Sequence, residues 1–322
     1  MKLDDLDKTL LSALDFGPRS GVKPLVESLG RSQQVLDYRL RNLQKRGFVL
    51  GFYPVIDTYR LGYRYCRLFV QLSDLSPRQI KSIKSFVSKR SEVLWCYRME
   101  GEYNLVLVFW TRSLQEFEYI SNDFLSLVGA SVLAVNQNQV YRLEHFPIAQ
   151  VLLGEPHKPV VLSESSETIE IDSLDRDVLR ALSADSRQSF SMLAKRCKTS
   201  DKVVAYRISR LEERAIIRGY RPLIAWGAAG YLFFKLFIQL DHSKPQIVEK
   251  MYTYLGSTPE LLYVVRGVGA PGEIDVEVAV KGYPELFALI DRLRDKFPGA
   301  IRSLHHYHFT ECLKVNYFPL GR

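Results

Sequence analysis

Leu3, Leu6, Leu10 and Leu14 recur at helical spacing, so the chain opens on an amphipathic helix. A short second helix is predicted over about 22–29, with Pro24 in its first turn, where a missing N–H costs little. A third runs from about 33 to 46, with Ser32 as N-cap and Gly47 just past its end. FVLGFYPVID (48–57) then reads as a short two-stranded hairpin, and three helices with such a hairpin make a winged helix-turn-helix. Beyond it the period changes. YRYCRLFVQL, EVLWCYRM, EYNLVLVFW and SVLAVNQNQVYRL read as strands, with PRQIKSIKSFVSK and LQEFEYISNDFLSLV as helices between them. That order, βαββαβ, is the split sandwich of ferredoxin-like domains.

The same unit is then written a second time. VLDYRLRNL (35–43) returns as VVAYRISRL (203–211), and LGYRYCRLFVQL (61–72) as AGYLFFKLFIQL (229–240). About 23 of the 70 positions from 3 to 72 are identical to those 168 residues later, without a gap, which marks an internal repeat. The second copy has Ser200 as cap and IIRGYRPLIA as wing. Its later elements are YLFFKLFIQL, PQIVEKMYTYL, ELLYVVRGV, EIDVEVAV, YPELFALIDRLRDKF and IRSLHHYHFTECLKV. The fold class is therefore α+β. Winged helix-turn-helix units cover 1–60 and 171–228, ferredoxin-like domains cover 61–153 and 229–322, and 154–170, rich in Pro, Ser and Glu with no period, is the linker. The uncovered faces of the two sheets are expected to pack against each other as an intramolecular pseudo-dimer.

Composition adds a partner. The net charge of +8 is confined to the two helix-turn-helix segments: 10 Lys+Arg against 7 Asp+Glu in 1–60, and 12 against 7 in 171–228. A basic excess that follows one motif points to a polyanion such as double-stranded DNA. The start, MKLDDLDKT, is no signal peptide, and the longest apolar stretch is far too short to span a membrane, so a cytoplasmic protein is expected. Cys66, Cys96, Cys197 and Cys312 are scattered and read as reduced core cysteines, not metal ligands.

The sequence resembles the leucine-responsive/asparagine regulator (Lrp/AsnC) family. The residues that carry the likeness are LDxxDxxLLxAL at 3–14, SxxVLDYRLRNLxxxG at 32–47, GFYPVID…LGY at 51–63 and GEYN at 101–104. Their counterparts are LDRDVLRAL, SDKVVAYRISRLEE, GYRPLI…AGY and GEID (272–275). The resemblance implies a DNA-binding transcription regulator with a small-molecule effector, amino acids among the candidates. It also implies a dimer of single units, which this chain fuses into one polypeptide and which further self-association would extend. Effector-binding positions carried over by motif are Gly101, Tyr103 and Asn104 in the first copy and Gly272 and Asp275 in the second. Asn104 departs from the family's usual acid, which Asp275 retains. Ala215 departs from the helix-ending glycine, which Gly47 retains.

On the third helix of the first copy, Val35, Leu36, Arg39, Leu40 and Leu43 fall on the inward stripe. Gln33, Gln34, Asp37, Tyr38 and Arg41 fall outward, as do Asp201, Lys202, Ala205, Tyr206 and Ser209 in the second copy. Glutamine can bond adenine and arginine guanine in the major groove. Candidate DNA-binding residues are Ser32, Gln33, Gln34, Tyr38, Arg41 and Lys45 in the first copy, and Ser200, Lys202, Tyr206, Ser209 and Arg210 in the second. The wing arginines are expected on phosphates. Arg39 and Arg207 recur opposite Asp7 and Asp175 and read as structural ion pairs. The run HHYH (305–308) reads as a polar strand face, with no metal and no cofactor expected. The rival reading is a sirohaem decarboxylase, which looks like this family. Trp95 and Gly101 stand where that resemblance would call for histidine, and without an acid–base residue catalysis loses its main device.

Overall fold

The structure is a computed structural model that describes residues 3–19, 21–164, 167–241 and 246–319. The first helix-turn-helix unit comprises α1 (Asp5–Leu14), a 3₁₀ turn at Lys23–Leu25 leading into α2 (Val26–Leu29), and α3 (Gln33–Lys45). The second comprises α7 (Ser173–Ala184), α8 (Phe190–Cys197) and α9 (Asp201–Glu213). Asp4 caps α1 by accepting from Asp7 N–H at 2.8 Å, and Asp172 caps α7 in the same way from Asp175 N–H at 2.8 Å. Gly47 follows α3 with φ +73°, and Ala215 follows α9 with φ +53°. The second copy therefore keeps the left-handed helix end with an L-residue in place of glycine.

The expected wing hairpins are not formed. Each wing is one strand, β1 (Val49–Ile56) or β7 (Ile217–Ile224), and the two pair with each other antiparallel. The reason is local: FVLGFYPVID holds no two-residue turn of the Asn-Gly kind, so each segment stays extended and finds its partner in the other copy. Tyr53 pairs with Arg221, which is also its counterpart in the repeat, since 53 plus 168 is 221. A pseudo-twofold axis therefore crosses the ribbon at these two residues.

The ferredoxin-like halves carry β2 (Arg64–Leu72), α4 (Pro77–Ser88), β3 (Val93–Glu100), β4 (Leu105–Thr111), α5 (Leu114–Val128) and β5 (Val132–His145) in the first copy. The second contributes β8 (Leu232–Leu240), α10 (Gln246–Gly256), β9 (Leu261–Val268), β10 (Ile274–Val280), α11 (Tyr283–Lys296) and β11 (Ile301–Val315). Pro245, at the start of the helix expected over 245–255, lies outside the described residues. The two sheets do more than face one another. β3 bonds to β11 and β9 to β5, and β2 also pairs with β5, so eight strands close in the order β2-β4-β3-β11-β8-β10-β9-β5. Closure leaves no free edge among these strands and turns both uncovered faces inward, where Phe69, Val106, Phe237 and Tyr307 share one core. Helices α4 and α5 cover the outer face of one half, and α10 and α11 that of the other.

The segment 154–170 is not free of structure. After α6 (Ala149–Leu153), Val160–Ser163 forms β6 on β5; Ser165 and Ser166 lie outside the described residues. The helix-turn-helix units are also built into the opposite copy. The first unit's core includes Ile224, Ala229 and Leu262, and the second's includes Ile56 and Leu61. Cys66, Cys96 and Cys197 are buried as expected, whereas Cys312 is exposed; all four are free. Among the described residues no helix is long and apolar enough to cross a membrane.

Candidate nucleic-acid interface

Each reading helix is fixed at its start by a serine. Ser32 Oγ accepts from Val35 N–H and Ser200 Oγ from Val203 N–H, both at 3.4 Å. The inward face of α3 is Leu36, Leu40 and Leu43; that of α9 is Val204, Ile208 and Leu211. Val35 does not belong to it: it is 40% exposed, and its counterpart Val203 is 36% exposed. Both sit in the first turn of their helix, on the solvent side of the stripe. Arg39 bonds Asp4 and reaches Asp7 at 3.3 Å, while Arg207 bonds Asp172 and reaches Asp175 at 3.1 Å. These pairs lock each reading helix to the first helix of its unit, so the arginines are positioning residues.

Gln33, Gln34, Arg41 and Lys45 are exposed on α3, and Lys202, Ser209 and Arg210 on α9. Tyr38 and Tyr206 stand 66% and 58% exposed at equivalent places. The two faces differ in how they are held. Arg41 Nε donates to Asp37 O at 3.2 Å, Ser209 Oγ to Glu213 Oε1 at 2.9 Å, and Arg210 lies over the Tyr206 ring at 5.7 Å.

The wing arginines are a correction. Arg221 is buried, with Nε 2.6 Å from Asp15 Oδ1, and Arg218 is half-buried, donating to Val161 O at 3.2 Å. Arg221 is enclosed by its own protein, and Arg218 is engaged by Val161 O and, at 3.8 Å, by Asp57.

The effector positions are each engaged by the chain itself. A Cβ at Gly101 (φ +151°) would lie 2.5 Å from the Tyr307 ring, and one at Gly272 would lie 2.7 Å from Ile238 O. Tyr103 stacks on Tyr307 at 6.1 Å. Asn104 closes both ends of its amide on Leu72, donating to Leu72 O at 2.7 Å and accepting from Leu72 N–H at 2.9 Å. Asp275 is buried inside the barrel between Lys235 Nζ, at 2.7 Å, and Arg67 Nη1, at 2.6 Å. Lys235 also reaches Glu277 at 2.9 Å, and burial raises that carboxyl against the pull of the lysine. This four-residue cluster went unread in the sequence. Its signal was there: a cation at the same place in two apolar strands, YRYCRLFVQL and YLFFKLFIQL, and acids alternating in EIDVEVAV.

In the histidine run, His305 lies 4.0 Å from Glu102 and His308 lies 3.7 Å from Glu100 across the β3–β11 seam. Among the described residues no group of three metal-binding side chains is drawn together.

The comparisons with known proteins agree with this arrangement. Residues 171–212 match the AsnC-type helix-turn-helix domain, and residues 66–132 match the Lrp/AsnC ligand binding domain. An uncharacterized HTH-type transcriptional regulator of Pyrococcus horikoshii is 32% identical over 154 residues, which is 94% of that protein and 47% of this chain. The chain belongs to the Lrp/AsnC family. Its length, about two such relatives in one polypeptide, fits a tandem duplication. Another relative, a proline dehydrogenase transcriptional activator of Rhizobium radiobacter, is 27% identical over 80% of its length and 38% of this chain. Across the whole of this Lrp/AsnC chain, the siroheme decarboxylase NirDL is similar in fold, with a TM-score of 0.62 at 14% identity, covering 97% of this chain and 93% of that one.

Proposed function

We infer that this Lrp/AsnC protein is a sequence-specific DNA-binding regulator of transcription whose binding responds to a small effector, and that one chain presents two reading helices where single-unit relatives need two chains. The observation that carries this is the β1–β7 ribbon: its register puts a pseudo-twofold axis between the two helix-turn-helix units. In this reading Gln33, Gln34 and Arg41 contact base edges from α3, with Lys202 and Ser209 doing so from α9. Tyr38 and Tyr206, with Lys45 and Arg210 in the last turns of α3 and α9 and the serine-capped starts of both helices, hold the phosphates. The protein acts in the cytoplasm.

Selection of bound sequences from a random DNA pool tests this. An enriched motif that competes at least about a thousandfold better than bulk DNA supports it; a pool that stays random contradicts it.

We assign no catalytic step. The likeness to a siroheme decarboxylase concerns the fold, and Trp95 and Gly101 leave the β3–β4 segment without the histidines that reading calls for. Loss of carboxyl groups from siroheme incubated with the protein would overturn that assignment.

A further inference from the structure

Beneath the β1–β7 ribbon, where it crosses the end of the barrel, lies a cavity of about 190 Å³. The space is partly open to solvent and its wall is mostly apolar, so a guest of matching shape would displace water from apolar surface. Its walls are unusual in composition. All three tryptophans of the protein, Trp95, Trp110 and Trp226, line it, although they come from three separate elements. Tyr53 and Tyr317, stacked at 3.9 Å, form another wall, and Tyr263 lies against His145 at 5.1 Å. Flat faces on several sides suit a flat guest. An apolar cavity of about 150 Å³ takes benzene, so this one takes a single ring with a small substituent.

The charged groups of the wall are already neutralised from within. Arg221 is held by Asp15, and Glu277 by Lys235 at 2.9 Å. A charged guest would be stripped of water with no free counter-charge to meet, which is unfavourable. Two polar atoms of lining residues are left over, Trp110 Nε1 and His145 Nε2. His145 Nδ1 faces Arg221 Nη1 at 3.4 Å and so acts as acceptor, which assigns the ring proton to Nε2; that buried atom has no hydrogen-bond partner among the described residues.

We propose that this cavity binds a neutral single-ring aromatic molecule bearing one hydrogen-bond acceptor. The guest touches Tyr53, Val55 and Leu223, which belong to the ribbon joining both reading helices. Its occupation is thereby linked to their geometry, and in this the proposal rests on the regulator reading. The binding itself does not.

The test uses the full chain without DNA, titrated with 4-fluorobenzamide, 4-fluorobenzoate and 4-fluorobenzylammonium while tryptophan emission is followed. A saturable change with the benzamide at a Kd of about 1 mM or tighter, and binding of both charged analogues at least about tenfold weaker, is expected. Leu143→Phe, which puts extra volume into the cavity wall, should weaken the benzamide by about tenfold or more. If that variant does not fold, Val315→Phe, at a wall position 37% exposed, replaces it. His145→Phe should reduce the preference for the amide over fluorobenzene. No saturable change, equal binding of the three probes, or unaltered binding by the filled variant overturns the proposal. Failure here leaves DNA binding intact, and failure of DNA binding leaves this titration unaffected.

Discussion

Arg221 and Asp15 form a buried, two-point ion pair across the pseudo-twofold axis: Nε lies 2.6 Å from Oδ1 and Nη2 lies 3.0 Å from Oδ2. The arginine comes from the second copy's wing strand and the aspartate from the end of the first copy's first helix. The remaining valences are met as well, since Nη2 donates to Phe146 O at 2.9 Å and Asp15 Oδ2 accepts from Ile148 N–H at 2.8 Å. Their counterparts in the repeat are Tyr53 and Ser183, so no second such pair exists by symmetry. The duplication has diverged at its own axis.

Removing one partner strands the other. Asp15→Ala should destabilise the chain by about 3–5 kcal/mol, because a buried guanidinium is left uncompensated. Arg221→Met added to it should recover a large part of that loss. Denaturant unfolding of the two variants checks both; a cost below about 1 kcal/mol for the single change would show the pair is dispensable.

The end of the second reading helix offers a milder change. Ala215 holds φ +53°, where an L-residue carries a steric cost that glycine does not. Ala215→Gly should stabilise the protein by a few tenths to about 1 kcal/mol, the gain being trimmed by glycine's freedom in the unfolded chain. An unchanged or lower Tm would contradict this.

Stability towards acid should run through the helix caps. Asp4 is held below the ordinary carboxylate value of 3.8, first by the N–H of Asp7 and then by Arg39; Asp172 is held down by the N–H of Asp175 and by Arg207. A carboxyl with a depressed folded-state value stabilises above its unfolded pKa and loses that contribution as pH falls through the folded one. Asp4→Ala and Asp172→Ala should therefore each cost about 1 kcal/mol near neutrality. The difference from the parent should shrink below about pH 4. Differences that stay constant into strong acid would show that the charge contributes nothing.

Much of this fold was legible because each helix and strand carries its own period: α5 (114–128) was expected at its observed bounds, and the caps at Ser32 and Ser200 were read from residue type alone. What failed was pairing at long range. FVLGFYPVID reads as extended but says nothing of a partner 168 residues away, so a hairpin is what the sequence suggests and a ribbon between copies is what forms. Closure of the barrel was hidden for the same reason, since strand edges carry no sequence signal of which edge they meet. Val35 misled through its chemistry: an apolar residue in a first helical turn need not face inward. At the effector positions the motif survives while its side chains are spent on Leu72, Tyr307, Lys235 and Arg67, which sequence alone does not show.

The dependence of DNA affinity on salt follows from exposure. Arg31, Arg41, Lys45, Lys198, Lys202 and Arg210 are exposed, whereas Arg218 and Arg221 are tied to the protein. If Arg31, Lys45, Lys198 and Arg210 meet phosphates while Arg41 and Lys202 read bases, the slope of log affinity against log salt should be about −4. A slope near zero would remove the electrostatic argument, and a loss of slope in Arg218→Ala would return the wing to the interface.

The account rests above all on one chain reading DNA with two unlike helices. A dimer of identical chains favours palindromes with half-sites about a helical turn apart. Here α3 offers Gln33, Gln34 and Arg41, while α9 offers Lys202 and Ser209, and Tyr38 and Tyr206 are the shared outward feature. The direct measurement is sequence selection with the parent and two variants: Gln33, Gln34 and Arg41 changed together to alanine, and Lys202 and Ser209 changed together to alanine. The account predicts an asymmetric motif in which each variant relaxes a different half. Both variants blurring the same base pairs, or losing affinity uniformly across sequences, would contradict it.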